Sequence, residues 1–165
     1  MTDEEKTVPV GVLCGKDIER MANERGLIEP YNESCLQACS YDLRIGTIFR
    51  EGQVINEKHS RADEQVVIEP GEVVSVLTQE ILKLPNDITG TAFAINSQSR
   101  EGLMVLNPGH VDPGFSGQLS VKAINLRKVA LPISRGDKIF TVIFEKLPKM
   151  TEGYKGSMPE RMQRE

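Results

Sequence analysis

The sequence predicts a mainly β domain of the sandwich or jelly-roll type, preceded by one short helix. Short runs rich in Val and Ile recur about every ten residues from position 41 onwards, as they do in all-β sandwiches and barrels. Pairs of turn-forming residues separate these runs, for example Pro70-Gly71 and Pro113-Gly114. The one clear helical spacing of apolar residues lies near the N-terminus.

The helix is predicted over residues 16–25. Ile18, Met21 and Ala22 lie near helical spacing there, and Gly26 follows as a common helix stop. Residues 1–10 are polar and acidic and are expected to be disordered. Residues 11–150 are expected to form the folded domain and residues 151–165 a flexible C-terminal arm.

The segment SYDLRIGTIF is predicted to be the first long strand. Strict alternation would place Tyr41, Leu43, Ile45 and Thr47 on one face and Ile48 on the other. The later strands are predicted in the runs QVVIEP, EVVSVLTQE, GTAFAINS, LMVLN, GQLSVKAIN, VALPI and DKIFTVIFEKL.

Composition and charge restrict the classes of function. The chain has 165 residues, of which 39% are hydrophobic and 27% charged, typical of one soluble domain with a sizeable core. Its net charge of -4 argues against a sequence-independent nucleic-acid surface, since such a surface needs an excess of Lys and Arg. No apolar run is long enough to cross a bilayer, and the start, MTDEEKTV, is not a signal peptide. We expect a cytoplasmic protein with neither nucleic-acid nor membrane partners.

The cysteines do not indicate a metal site. Cys14, Cys35 and Cys39 complete no zinc spacing with the two histidines, His59 and His110, so free thiols are expected. The paired sequence signature of zinc-dependent deaminases is also absent. Any deamination by this chain would therefore proceed without zinc.

The segment NSQSREGL is a candidate phosphate loop. Hydroxyls of Ser97 and Ser99 and the guanidinium of Arg100 stand beside a glycine, and an arginine fork binds phosphate oxygens in pairs. Asp42, in SYDLR, is a further candidate, although its alternation with apolar residues equally suits the solvated face of a strand.

The segment GHVDPGFSGQLSVKAINL is a candidate active-site hairpin. Period-two alternation places His110 and Asp112 on one face, next to a Pro-Gly turn. A carboxylate in this position can orient a water molecule as a general base. An Asp before Pro-Gly is also ordinary turn chemistry, because its side chain hydrogen-bonds the turn backbone.

Taken in order, these segments resemble the non-zinc dCTP deaminases, which share a fold and a site with the trimeric dUTPases. The resemblance covers roughly residues 11–157 and rests on the ordered set rather than on any one motif. The matching segments are CGKDIERMANERGLIEP, SYDLRIGTIF, EPGEVVSVLTQEILKLP, SREGL, HVDPGFSGQLSVKAIN, SRGDKIFTVIFEKL and GYKGS.

The resemblance implies a distorted jelly roll that assembles as a homotrimer, with deoxynucleotide sites at the subunit interfaces. It implies that a triphosphate is bound with Mg2+ bridging its oxygens and that Asp42 belongs to the outer shell of the metal. The residues implied in phosphate binding are Ser97, Ser99, Arg100, Tyr154 and Lys155.

The resemblance also implies roles along the hairpin. Phe115 would pack beneath the deoxyribose, and in the dUTPase reaction Asp112 would activate the water that attacks the α-phosphorus. The residues whose backbone would read the pyrimidine edge are Asn107, Gly109, His110 and Val111.

The chain departs from the deaminases at several positions of the implied site. The deaminases carry a catalytic glutamate ten residues after the hairpin aspartate, where this chain has Lys122. Their serine before the phosphate loop is Asn96, and a glutamine expected on the last strand is Thr141. The dUTPase loop has a serine after its arginine, and here that residue is Glu101, which would repel a triphosphate if it pointed inward.

These departures change which activity is expected. An ammonium at position 122 cannot act as the proton shuttle of deamination, but it can donate to O4 of uracil and so disfavour cytosine. We therefore predict hydrolysis of dUTP to dUMP and diphosphate, with Asp112 as the catalytic residue. Two alternatives stay open: a dCTP deaminase with an altered active site, and a non-catalytic deoxynucleotide-binding pseudoenzyme or regulator.

Overall fold

The computed structural model describes residues 9–56, 65–106 and 109–156, and these contain twelve strands and two helices. The strands are β1 (Gly11–Val12), β2 (Ile28–Glu29), β3 (Tyr41–Arg50), β4 (Gln53–Val54), β5 (Gln65–Ile68), β6 (Val73–Lys83), β7 (Ile88–Ala94), β8 (Leu103–Leu106), β9 (His110–Val111), β10 (Ser116–Asn125), β11 (Leu131–Ser134) and β12 (Lys138–Lys146). The helices are α1 (Gly15–Arg25) and α2 (Asn96–Arg100), and a 3-10 turn covers Glu33–Cys35.

Ten of these strands form one antiparallel, strongly curled sheet. Its main path is β8-β10-β6-β3-β12-β7-β9, and β1, β2 and β4 are attached to β12, β6 and β3 respectively. Strands β5 and β11 pair separately as a two-stranded sheet. The predicted fold, mainly β with a distorted jelly-roll arrangement, is confirmed.

The predicted N-terminal helix is confirmed to within one residue. Ile18, Met21 and Ala22 of α1 are buried in the core, and Gly26 ends the helix in the left-handed conformation with φ 65°. Helix α2 lies where the sequence predicts only a phosphate loop, because five residues are too few to show a helical period. Within the described ranges, no helix has the length and apolar character to span a membrane.

Strand β3 turns the corner between the two halves of the curled sheet. Its first residues pair with β12, and from Ile45 onwards it pairs with β6, with a bulge between Ile45 and Thr47. A Cβ on Gly46 would lie 2.7 Å from the carbonyl oxygen of Thr78, so this close approach of two backbones requires glycine. The bulge also shifts the alternation by one residue. Ile48 is therefore buried and Thr47 half-buried, and the predicted facing is wrong beyond Gly46.

A buried ion pair joins β3 to β6 at this corner. The Glu80 side chain is fully buried, accepts a hydrogen bond from the Arg44 backbone N–H at 2.8 Å, and lies 2.5 Å from Arg44 Nε. Burial disfavours the charge on Arg44, but the hydrogen bond and the attraction of Glu80 prevail and raise the pKa of the guanidinium. The pair therefore places the guanidinium of Arg44 directly against the buried side chain of Glu80.

Removing the arginine alone should destabilise the fold strongly. We expect Arg44→Met to lower the free energy of unfolding by about 3–5 kcal/mol, because it leaves a buried carboxylate without its partner. Urea denaturation measures this loss as a lower midpoint with an unchanged slope. Adding Glu80→Gln to the same variant removes the unpaired buried charge and keeps a hydrogen-bond acceptor for the backbone N–H of residue 44. The double variant should therefore recover part of the lost free energy of unfolding. Equal stability of the single and double variants would contradict this account.

Candidate active site

The predicted hairpin forms a tight turn between β9 and β10. The Phe115 N–H donates to the carbonyl of Asp112 at 3.1 Å, and Gly114 adopts φ 80°, which favours glycine. Strand β9 pairs with β7, with His110 opposite Thr91. The turn therefore stands at the end of a sheet-anchored strand, and Asp112 is exposed on it.

The structure brings His110 and Asp112 together. Nε2 of His110 lies 3.1 Å from Oδ1 of Asp112, and the two side chains are 59% and 53% exposed. The hydroxyl oxygen of Thr89, on β7, lies 3.4 Å from the same nitrogen and donates to the Val111 carbonyl at 3.0 Å. Neither the residue type nor the sequence position of Thr89 signals this contact, which arises from the pairing of β7 with β9.

The first part of the C-terminal arm packs on this hairpin. The Tyr154 N–H donates to the Pro113 carbonyl at 2.6 Å, and the Tyr154 ring packs edge-on to Phe115 with centroids 5.8 Å apart. A Cβ on Gly114 would lie 2.9 Å from the Tyr154 nitrogen. The arm, described as far as residue 156, therefore approaches the turn too closely for any side chain at position 114.

The arm and the hairpin line a cavity of about 360 Å³ that is open to solvent. Asp112 and Pro113 line one wall, and arm residues 151–155 line the other. Lys155 forms an ion pair with Glu152, and both side chains are well exposed. The structure thus places the predicted catalytic carboxylate and two predicted phosphate-binding residues, Tyr154 and Lys155, around one space.

The predicted phosphate loop is the surface helix α2. Ser97, Ser99 and Arg100 are exposed, and no residue in the described part of the chain forms an ion pair with Arg100. Glu101 Oε2 lies 3.5 Å from Arg127 Nη1. Glu101, the acidic residue expected to repel a phosphate if it pointed inward, is therefore paired with a cation of its own chain.

Within one chain, Asp112 and the phosphate loop lie at opposite ends of β7. Val111 pairs with Gly90 near the start of this strand, whereas Asn96 follows its end. Six residues of extended chain separate Gly90 from Asn96, which corresponds to about 20 Å. Asp112 and Arg100 of one chain are therefore well separated along the sheet.

Lys122 lies on the outer face of the sheet. In the register of β10, it stands between Ser75 of β6 and Leu106 of β8, and its Nζ donates to the Ser75 hydroxyl. Neither of these neighbours carries a carboxylate. Lys122 is six residues along β10 from Ser116, about 20 Å of strand, so it is remote from Asp112 within its own chain.

The residues predicted to read the base are only partly described. Asn107 lies outside the described residues. The carbonyl of Gly109 accepts from Ala92 N–H at 2.8 Å, and that of Val111 accepts from Thr89. These two carbonyls are thus engaged by β7 rather than turned outward.

Asp42 lines a second cavity, of about 850 Å³, together with Asn96 and Thr141. Its Oδ2 accepts from Gln37 Nε2 at 2.8 Å and from Lys138 Nζ at 3.2 Å, and only 12% of the side chain is exposed. In the part of the chain that the structure describes, no group of three or more His, Cys, Asp or Glu side chains is placed to hold a metal. The three cysteines are free, as predicted.

Comparison with known proteins supports the resemblance. The family model for dCTP deaminase-like proteins matches residues 12–147. The chain belongs to this family. One relative, the dUMP-forming dCTP deaminase of Hydrogenobaculum sp., is 32% identical over 149 residues, covering 84% of each chain.

Solved structures with the same fold include a dCTP deaminase and a dUTPase. The dCTP deaminase of Agrobacterium tumefaciens aligns with TM-score 0.68 and 20% identity, covering 83% of this chain and 49% of that one. The EIAV dUTPase aligns with TM-score 0.50 and 15% identity, covering 80% of this chain and 94% of that one. The predicted superfamily is thus confirmed.

Proposed function

We propose that this protein hydrolyses dUTP to dUMP and diphosphate, with Asp112 activating the attacking water. The observation that carries the proposal is the contrast between two positions of the site. The carboxylate suited to hydrolysis is present at Asp112, exposed on a cavity, with its Oδ1 3.1 Å from Nε2 of His110. The carboxylate suited to deamination is replaced by Lys122, whose cross-strand neighbours, Ser75 and Leu106, do not supply another.

In the proposed reaction, water attacks the α-phosphorus and diphosphate leaves. Asp112 takes the proton of the attacking water. The exposed guanidinium of Arg100 neutralises charge on the triphosphate, supported by the hydroxyls of Ser97 and Ser99. Lys155 adds a second cation from the arm.

Mg2+ would enter with the triphosphate, and its role is to neutralise and orient phosphate oxygens. In this mode the substrate would supply the direct ligands of the metal. Asp42 can contribute through a water: Oδ2 is engaged by Gln37 and Lys138, whereas Oδ1 has no hydrogen bond to the residues that the structure describes.

The active form is proposed to be a homotrimer in which each site combines two chains. The separation of Asp112 from Arg100 along β7 supports a shared site. The outer face of β6, β8 and β10 also exposes a row of apolar side chains, Val73 (48%), Met104 (45%) and Leu106 (43%), of the kind that subunit contacts cover.

Lys122 is proposed to select uracil. Its ammonium is a donor and suits O4 of uracil, whereas the amino group of cytosine would face it with another donor. Because Lys122 sits beside Leu106, at the end of β8, it adjoins the segment implied in base recognition. Uracil is then preferred over cytosine because the Lys122 ammonium would be left without an acceptor opposite cytosine, and not because the two bases differ in shape.

A second candidate function is dCTP deamination, which the name of the Hydrogenobaculum relative supports. A third is nucleotide binding without turnover, which the combined departures at Lys122, Asn96 and Glu101 support. The products separate the three: diphosphate from dUTP, ammonia from dCTP, or saturable binding with neither product.

The central prediction concerns Asp112. With Mg2+ present, the protein should release diphosphate from dUTP, and Asp112→Asn should lower kcat by about 10²–10⁴-fold because it removes the general base. A coupled diphosphate assay measures this, and Glu24→Gln, an exposed change on α1, serves as the control. Ammonia release from dCTP without diphosphate release from dUTP would refute the proposal.

The shared site can be tested by mixing inactive variants. Asp112→Asn and Arg100→Ala chains, unfolded and refolded together in equal amounts, should recover about a quarter of wild-type activity, since one site in four then receives both intact residues. Each variant refolded alone is the control. No recovery in mixed trimers, verified by native mass spectrometry, would show that both residues act within one chain.

Replacing Lys122 should weaken the preference for uracil. We expect Lys122→Met to lower kcat/KM for dUTP by roughly tenfold, because O4 loses a donor worth about 1–3 kcal/mol, while kcat/KM for dCTP does not fall. Competition assays with both nucleotides measure the ratio. Lys128→Met, a surface lysine away from β10, is the matched control. Equal losses for both nucleotides would assign Lys122 a structural role.

A further inference from the structure

We propose that His110 is the positioning residue for Asp112, holding the carboxylate through Nε2–H, with the Thr89 hydroxyl oxygen as the second acceptor of the same proton. This inference rests on the proposed hydrolysis of dUTP. It adds the residue that orients the general base, Asp112.

The hydrogen-bond network identifies which ring nitrogen carries the proton. Thr89 donates its single hydroxyl proton to the Val111 carbonyl at 3.0 Å, so towards His110 its oxygen can only accept. An ionised Asp112 also only accepts. Nε2 of His110 lies 3.1 Å from Asp112 Oδ1 and 3.4 Å from Thr89 Oγ1, and it faces two acceptors. The proton therefore resides on Nε2.

The backbone of His110 is fixed more firmly than that of Asp112. His110 pairs with Thr91 of β7, and the hydrogen bond from Ala92 N–H to Gly109 holds the preceding residue. Asp112 lies beyond the strand, in the turn, with its side chain about half exposed. Without His110, this carboxylate would be free to sample other side-chain rotamers in solvent.

The contact with His110 gives the two carboxylate oxygens of Asp112 different roles. Oδ1 accepts from His110, which leaves Oδ2 for the water. The water proton passes to Oδ2, the water oxygen bonds to the α-phosphorus, and the bond from that phosphorus to the departing diphosphate oxygen breaks. His110 keeps its proton throughout. Glu152 and Lys155, the charged arm residues around the same cavity, form an ion pair with each other.

A substitution pair separates positioning from other roles. His110→Phe removes the donor while keeping a ring, and should lower kcat by about 10- to 100-fold, with KM nearly unchanged, because the base is misplaced. His110→Gln keeps an N–H donor at similar reach and should recover most of the activity. If His110→Gln is as impaired as His110→Phe, the imidazole itself is required and the positioning role is wrong.

A double-variant cycle and a spectrum complete the test. In the Asp112→Asn background, His110→Phe should have no further effect on kcat, and a full additional loss would refute the coupling. A ¹H–¹⁵N spectrum of the imidazole, assigned with His110→Gln, should show the proton on Nε2; protonation on Nδ1 alone would overturn the inference regardless of activity. A wild-type protein without dUTP turnover would overturn the proposed function and this role together. Turnover that is unaltered by His110→Phe would overturn this role alone.

Discussion

The corner where β3 passes from β12 to β6 is the constraint on which the rest of the structure depends. Gly46 lets the two backbones meet at Thr78, and the buried pair of Arg44 with Glu80 ties the strands beside it. Thr78 also binds β10, because its hydroxyl accepts from Leu119 N–H at 3.0 Å and its carbonyl from Gln118 Nε2 at 2.5 Å. One point in the sheet thus sets both its curl and the position of β10, and hence of the hairpin that leads into it.

This geometry separates the parts of the candidate site. The hairpin end holds Asp112, His110 and the packed arm, whereas Lys122 is about 20 Å further along β10 and Arg100 stands beyond the far end of β7. The residue at position 122 can therefore change without disturbing the carboxylate at the hairpin end. This separation gives a physical basis for a family member that carries lysine at position 122 and still holds Asp112 within 3.1 Å of His110.

Several sequence predictions failed for identifiable reasons. The facing of β3 was wrong beyond Gly46 because a bulge adds one residue without leaving a mark in the alternation of side chains. Helix α2 was missed because five residues show no period. The pairing of Glu101 with Arg127 and the contact of Thr89 with His110 join residues more than twenty positions apart, and no local pattern reports such partners.

The sequence by itself determined the mainly β fold class, the N-terminal helix, the family and the lysine at position 122, because residue type and period are local properties. It also placed His110 and Asp112 on one face, since period two holds over so short a span. Only the tertiary structure decided that these two side chains meet, that Tyr154 packs on Phe115, and that Arg100 lies far from Asp112 in the same chain. Those outcomes depend on strand register and sheet curl, which arise from pairings between distant segments.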